Sequence, residues 1–549
     1  MNWIIGISIL VIIIYLINHQ IKRRKLLILK AHLKNNWGKT KEDEYYNFDI
    51  IDQYFQNSVN RESAFHIISD QTKDDLDIHD LFKYLDRTSS KIGQQYLYYK
   101  LRIVEHKDKL LKFDQLTQVI ESNAKLRLDC QVELSKLDSH STYDLEKLIN
   151  DDVIKKPPYQ KFLIPLSIGY VVSFCLGFFN PIFFLVLLPL FMVNMVLHYK
   201  TKAYISYYLS AVSQLNKSLL VAEKIASNSE IKNQFPDLRF IKRIKEIRLK
   251  TKFISFEKQL NNEFALVVWF ISELVKIQFN LEAIIFYSFI DDIVKKRKSI
   301  DSLYQFLGEI DSAISVASLK HENKLICKPI FLENKEISIT DIIHPLIDDC
   351  VSNDVNLRDK SLLLTGSNMS GKTTFIRAVA LSSITSQTIN VAFAKEFSIP
   401  FFKVYSSIRI TDDLGDDTSY YLKEVLTIKT LIEVSKEPYP CLFVLDEIFK
   451  GTNTIERISG GKAILSYLNK EKDFVFVSTH DIELAELLKN KNFELHHFSE
   501  QIIDNKLFFD HKLKRGKLKT RNAIEILDLY DYPKEIIADA KETKKENFG

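Results

Sequence analysis

Gly366-Ser367-Asn368-Met369-Ser370-Gly371-Lys372-Thr373 sets two glycines five residues apart and closes on a lysine followed by a hydroxyl. This spacing fits a phosphate-binding loop, in which successive backbone amides curl around an anion and a new helix points its positive end at the same charge. Lys372 is expected to reach the β and γ phosphates of a nucleotide, and Thr373 to ligate Mg²⁺. Thr374 continues the same turn. A second chemical cluster is Cys441-Leu-Phe-Val-Leu-Asp446-Glu447, an apolar run ending in paired carboxylates. Beside a phosphate loop, Asp446 is expected to hold the metal shell and Glu447 to act as general base toward water. A third run ends in Thr479-His480-Asp481, where His480 can meet a γ-phosphate or the adjacent water; a histidine at a strand end also has a purely structural reading.

These residues need a scaffold that brings three chain segments to one edge. Leu362–Thr365, Cys441–Leu445 and Phe474–Ser478 are short apolar runs separated by helical patterns, the signature of a parallel sheet with helical crossovers. The segment after the loop runs through Ile376, Ala378 and Leu381 at helical spacing. Upstream of about residue 330 the texture differs: few Gly or Pro and apolar residues three and four apart, as in Phe113, Leu116 and Ile120, or Phe264, Val267, Val268, Ile271 and Val275. Long amphipathic helices are expected there, and Asp144-Leu-Glu-Lys-Leu-Ile continues them. The basic run Lys295-Lys-Arg-Lys298 reads chiefly as a solvated helix face.

Three apolar runs interrupt this pattern. Trp3–Ile17 carries no charge and is followed by Lys22, Arg23, Arg24 and Lys25, an order opposite to that of a cleaved secretory signal. Phe162–Phe179 and Ile182–Leu197 flank the turn dipeptide Asn180-Pro181 and read as a transmembrane hairpin. Lys155, Lys156 and Lys161 precede the hairpin, and Lys200 and Lys202 follow it, so both its ends are expected in the cytoplasm and the N-terminus outside. The expected location is the cytoplasmic (inner) membrane, multi-pass, with the nucleotide site in the cytoplasm.

The chain has 549 residues, too many for one core, and is 46% hydrophobic and 27% charged with 26 Gly plus Pro, which excludes a disordered or fibrous protein. A net charge of +4 excludes wholesale coating of nucleic acid. Cys130, Cys175, Cys327, Cys350 and Cys441 are odd in number and never form C-x-x-C, which argues against a disulfide framework or zinc ribbon.

Further motifs carry a family likeness. Asp412-Asp-Leu-Gly-Asp-Asp-Thr-Ser419-Tyr-Tyr-Leu-Lys-Glu424 lies between the loop and the acidic strand, and Ile-Phe-Lys-Gly451-Thr452-Asn453-Thr454 follows Glu447. With S-N-M-S-G-K-T-T, D-E-I-x-x-G-T and S-T-H, they resemble the ATPase domain of the MutS family of mismatch repair proteins. Ile343-His344-Pro345-Leu346, Ser352-Asn-Asp-Val, and Leu85-Asp-Arg87-Thr88-Ser-Ser-Lys-Ile-Gly93 extend the likeness upstream, and Pro533–Ala540 looks like the closing helix. The resemblance implies an ABC-type nucleotide-binding domain that binds ATP and Mg²⁺ and works as a homodimer, with Ser419 reaching the phosphates of the opposite subunit. Ile458-Ser-Gly-Gly-Lys462 mimics a transporter signature but follows the acidic strand, so it reads as a helix opening.

The fold class expected is therefore multidomain: an N-terminal transmembrane helix (1–18), a juxtamembrane segment (19–74), a helical core and lever (75–161 and 199–330) interrupted by the hairpin (162–198), and an α/β ATPase domain (331–549). The core begins too early for the family's mismatch-wedge domain, and no nuclease domain is expected. The leading reading is a membrane-anchored MutS-like ATPase, an ATP-driven dimeric clamp with a role related to DNA mismatch repair and with DNA, including mismatched or branched DNA, as a partner bound without mismatch preference. A membrane-remodelling or transport ATPase without DNA function is the alternative.

Overall fold

The computed structural model describes residues 2–42, 44–58, 61, 63–149, 156–247, 273–322, 325–367, 369–409, 420–470, 472–503, 506–518, 523–530 and 532–548. Phe264, Val267, Val268 and Ile271 of the helical pattern, Lys155 of the basic flank, and Asn368 and Asp412–Ser419 lie outside these residues. The chain divides into two compact units, a helix-rich one (Met1–Asn60, Leu85–Tyr99 and Lys112–Glu322) and one built around parallel strands (Arg61–Tyr84, Lys100–Leu111 and Asn323–Gly549). The division does not fall at residue 75. Two N-terminal segments, Arg61–Tyr84 and Lys100–Leu111, belong with the C-terminal residues.

In the helical unit, α1 (Asn2–Asn35) covers the apolar run Trp3–Ile17 and continues unbroken through the basic cluster. Helix α2 (Lys91–Arg102) opens at Ser90, whose Oγ accepts from the Gly93 amide at 2.9 Å, an N-cap that satisfies one of the helix's orphan donors. The apolar hairpin is α3 (Gln160–Gly177) and α4 (Ile182–Ala226), joined across Asn180-Pro181. Among the described residues, Gln160–Gly177 and Ile182–Lys202 are long and apolar enough to cross a membrane, and little of either is buried. Asp144–Leu148 departs from the expected α-helix: His140–Leu148 is a 3-10 helix, so its side chains follow a three-residue period.

The longest core helix, α5 (Leu281–His321), buries 24 of its residues, including Tyr304, Leu307 and Ile314. Tyr54 stacks on Tyr304 with ring centroids 4.3 Å apart and donates to Asp301 at 2.8 Å, so the aromatic core of this unit also meets its polar needs.

In the second unit, β1 (His66–Ile67) pairs antiparallel with β2 (Ile103–Val104). The strands β3 (Ile330–Leu332), β4 (Glu336–Ile342), β5 (Asn353–Arg358) and β7 (Glu396–Pro400) form one sheet in the order β3-β7-β4-β5. The central sheet contains β6 (Ser361–Thr365), β8 (Lys403–Ser407), β9 (Cys441–Asp446), β10 (Phe474–Thr479), β11 (Phe493–His497) and β14 (Lys514–Arg515), ordered β14-β11-β6-β10-β9-β8. All its pairings are parallel except β11 with β14. Strands β6 and β10 are buried throughout, as expected of parallel strands covered on both faces. A small hairpin, β12 (Glu500–Ile503) with β13 (Lys506–Phe509), follows.

Helix α6 (Lys372–Ile389) leaves β6, α7 (Tyr420–Val434) precedes β9, and α8 (Thr454–Leu468) follows it. Ile458–Lys462 lies inside α8 and does not open it. The helix starts at Thr454, because the Asn453 side chain accepts from the Glu456 amide at 3.0 Å and caps it there.

Candidate active site

The register of the central sheet fixes which residues can meet. Thr365 pairs with Thr479 and Ser478 with Asp446, so the segments after β6, β9 and β10 leave the sheet at one edge. Ligands of open parallel sheets bind outside such carboxyl ends. Gly366 begins the first segment, and a Cβ there would lie 2.9 Å from the Phe498 carbonyl oxygen and 2.8 Å from Ser370 Oγ. Gly371, with φ of 110°, turns the loop into α6 in a conformation open mainly to glycine.

Within the loop, Ser370 Oγ donates to the Ser367 carbonyl at 2.8 Å, Ser367 Oγ donates to Glu500, and Met369 is exposed. The Lys372 ammonium is buried and donates to the carbonyls of Gly366 and Ser367, both at 2.7 Å. Burial lowers its pKa, against the pull of Glu447, Asp446 and Glu500. Thr373 Oγ1 donates to Asp446 at 3.0 Å, and Ser478 Oγ donates to the other carboxylate oxygen of Asp446. The hydroxyl and carboxylate expected to share a cation are therefore neighbours, and both supply the hard oxygen donors that Mg²⁺ prefers.

Glu447 lies one residue past β9 with φ of 54°, and Phe449 has φ of 61°, both in the left-handed region that non-glycine residues avoid. One backbone amide ties this loop to α7: that of Phe449 donates to the Glu424 carboxylate. Burial raises the Glu424 pKa, against the pull of the Phe449, Lys450 and Gly451 amides. Its role was not legible in the sequence, although Glu424 closes the 412–424 motif. Arg457, at the start of α8, binds Asp481 through two hydrogen bonds of 2.8 Å and so fixes the turn after β10.

That turn sets His480 against Glu447, with Nδ1 to Oε1 at 3.2 Å, and Lys450 Nζ lies 3.6 Å from the other oxygen. The hydrogen bond from His480 is the main cause holding the Glu447 carboxyl at about 2, and the same bond raises His480. His480→Ala should let Glu447 rise toward the ordinary carboxylate range near 4.3. A base must be ionised to work, so the acid limb of any hydrolysis should move to higher pH. The ratio of variant to parent turnover is expected to fall about threefold between pH 7 and pH 4. Phosphate release across that range checks it; a constant ratio would detach His480 from the carboxylate.

The loop borders a cavity of about 640 Å³, within the range of small-molecule sites. Lys372, Thr373, Thr374, Asp446 and Glu447 line it, together with residues that include His344, Phe498 and His511. His511 is held by a 3.1 Å hydrogen bond between Nδ1 and the Ser370 carbonyl, while burial keeps His344 at about 4 and hence neutral. Phe498, Glu500 and His511 were also missed in the sequence, since no motif marks them and only the pairing of β11 with β6 brings them near. The N-terminal segment contributes too. Asp75 accepts from Ser406 Oγ at 2.6 Å and from the amides of Ile408 and Arg409 at 3.0 and 2.8 Å, and Asp77 pairs with Arg377 of α6 at 3.0 Å.

The strand order, the loop between β6 and α6 and the carboxylates after β9 belong to a region with known counterparts. Residues 362–547 match MutS domain V. Over 268 residues the chain is 28% identical to a DNA mismatch repair protein MutS of Aquifex pyrophilus, an alignment covering 47% of this chain and 31% of that one. It is 30% identical over 253 residues to the MutS of Listeria welshimeri, covering 44% and 29%. A Staphylococcus aureus MutS is 27% identical over 277 residues, covering 48% and 31%. The matches thus span about a third of the length of these relatives. They support the MutS family and, with it, a family of ATPases.

Proposed function

We propose that the protein is a membrane-anchored MutS-like ATPase whose nucleotide cycle opens and closes a homodimeric clamp. The observation that carries this reading is the meeting of Lys372, Thr373, Asp446 and Glu447 in the lining of one cavity in the region that matches MutS domain V. The loop amides and Lys372 bind the phosphates of ATP, with Ser367, Asn368, Met369, Ser370 and Thr374 completing the cradle. Thr373 and Asp446 hold Mg²⁺, which when bound neutralises phosphate charge. Glu447 takes a proton from the attacking water, and His480 orients that carboxylate. Ser419 reaches the site of the second subunit.

The two exposed apolar helices, Gln160–Gly177 and Ile182–Lys202, support insertion in a bilayer, with basic residues such as Lys161, Lys200 and Lys202 at their shared end. The relatives are named for DNA mismatch repair, and DNA is the macromolecular partner that name suggests here. Contact through Lys295, Lys296 and Arg297 on α5 would address phosphates and carry no base readout.

Detergent-purified full-length protein should pass from monomer to dimer on adding ATP, read by light scattering. In competition binding at two salt concentrations, matched, mismatched and branched duplexes should compete almost equally, with affinity falling steeply as salt rises. No ATP-dependent dimer would remove the clamp reading. A tenfold preference for mismatched DNA, about 1.4 kcal/mol, would replace phosphate contact with a recognition surface.

A further inference from the structure

Two side chains on the apolar hairpin do something an isolated membrane hairpin has no need to do. Asn194, fully buried on α4, donates through Nδ2 to the Gln278 carbonyl at 2.8 Å, and its Oδ1 accepts from Asn280 Nδ2 at 2.9 Å. Ser167 Oγ on α3 lies 2.8 Å from the Phe279 carbonyl and 2.8 Å from the Leu163 carbonyl of its own helix, so its one proton is shared between the two. Gln278 and Phe279 end a helical stretch, residues 273–279, that reverses at Asn280 with φ of 48° into α5. Carbonyls at a helix end have no partner within their own helix and in water would bond to solvent. Here the hairpin supplies their donors.

The positions of Ser167 and Asn194 measure how deep this turn sits. At 1.5 Å per residue, Ser167 is about 10 Å from the start of α3 and about 15 Å from its end. Asn194 is about 18 Å along α4 from the hairpin turn and about 12 Å short of Lys202. If the hairpin spans a hydrocarbon layer of about 30 Å, the Asn280 turn lies roughly a third of the way in. Non-helical backbone at such depth is tolerated only when buried in protein with its polar groups satisfied, and these hydrogen bonds do this for the Gln278 and Phe279 carbonyls and Asn280 Nδ2, while Asn280 Oδ1 is buried without a partner.

The charges are arranged to match. Glu273 accepts from Lys202 at 2.7 Å, from His198 at 3.2 Å and from Lys276 at 3.4 Å, and Lys156 pairs with Asp291. These groups form a collar at the level of the hairpin's ends. Between collar and turn, the large residues that face outward are Leu274 (39% exposed) and Val275 (42%), while Glu282 is buried and Lys276 folds back to Glu273.

The geometry points to residues 274–290 as a re-entrant helix–turn–helix that enters the lipid beside the hairpin and leaves on the same side. This rests on the membrane reading of the hairpin and extends it: the lipid-contacting surface includes the tip of α5. The competing geometry is a hairpin that dips only its outer half, from about Ser167 and Asn194 to the turn, into one leaflet and leaves Asn280 in water.

The test uses the full chain with Trp3, Trp37 and Trp269 replaced by Phe, carrying one tryptophan at a time, in phosphatidylcholine–phosphatidylglycerol vesicles with or without acyl-chain-brominated lipid. Leu188→Trp reports the hairpin, Phe279→Trp the turn, and Leu487→Trp an exposed site in the other unit. Bromolipid is expected to quench the first two about twofold or more and leave the third unchanged. Leu274→Trp repeats the turn measurement at a more exposed position should Phe279→Trp misfold. Quenching of Leu188→Trp with neither turn variant quenched would overturn the inference while leaving the hairpin in the membrane. Quenching of none would overturn the membrane reading itself.

Discussion

Glu447→Gln is expected to keep nucleotide affinity and lose hydrolysis, whereas Lys372→Ala is expected to lose affinity itself. The two residues line the same cavity but face different partners. The Lys372 ammonium sits on the carbonyls of Gly366 and Ser367, which a nucleotide phosphate would replace with a formal negative charge. Hydrogen bonds to a charged group contribute about 1.5–3 kcal/mol each, so loss of this lysine should weaken binding by about 100-fold. The fold should tolerate the change, because it removes a desolvated cation rather than creating one. Among the described residues Glu447 accepts from no amide of the phosphate loop, and glutamine preserves its size and its contact with His480 while removing the basic oxygen. A positioned base contributes about 10²–10⁴-fold, so turnover should fall within that range and ATP-bound dimer should accumulate. Fluorescent-nucleotide titration, phosphate release and light scattering separate the two variants. Parent-like turnover in Glu447→Gln would show that water is activated elsewhere.

How much of this site could be read from the sequence depends on how local each contact is. Lys372, Thr373, Asp446, Glu447 and His480 follow directly from strand ends, because parallel strands in register must deliver their next residues to the same edge. Ser361–Thr365, Cys441–Asp446 and Phe474–Thr479 match the expected apolar runs to within a residue. The supports of those residues were not readable. Glu424 holds the Glu447 loop from a different helix, and Arg457 fixes His480 through Asp481, contacts set by packing rather than by spacing. The placement of Arg61–Tyr84 was hidden for the same reason. The expected boundaries divide it between the juxtamembrane segment (19–74) and the helical core (75–161), yet Asp75 collects the Ser406 hydroxyl and the Ile408 and Arg409 amides more than 330 residues away in the chain. At the hairpin, composition revealed two apolar runs but not the Gln278–Asn280 turn against them, since nothing in the sequence around Asn194 and Ser167 marks partners 84 to 112 residues away.

The segment Leu85–Gly93 was recognisable only as a family motif, and its physical content leads to the second large effect. Gly93→Ala should destabilise the helical unit by about 3 kcal/mol, the upper end for forcing one extra methyl into a packed site. A Cβ at Gly93 would lie 2.1 Å from Asp311 Oδ2 and 2.6 Å from Asp311 Cβ. Asp311, on α5, cannot simply turn away. Its carboxylate accepts from the Ser89 and Ser90 amides, each at 2.8 Å, and from Ser90 Oγ at 2.6 Å, while Ser90 Oγ itself accepts from the Gly93 amide. Moving the carboxylate would strand buried donors, and moving α2 would uncover Tyr96, which packs against Gly308 on α5. In an otherwise tryptophan-free chain, the emission of Trp37, in this unit, can follow urea unfolding. Gly169→Ala, where a Cβ meets nothing within 4 Å, serves as the neutral comparison. Asp311→Gly removes all the obstructing atoms, including the Cβ that alanine would keep at 2.6 Å, so Gly93→Ala should cost markedly less in that background, a coupling that a general change in helix propensity would not produce. Equal midpoints for Gly93→Ala and the parent, or equal costs in both backgrounds, would show that Gly93 is not the contact point through which α2 is seated on α5.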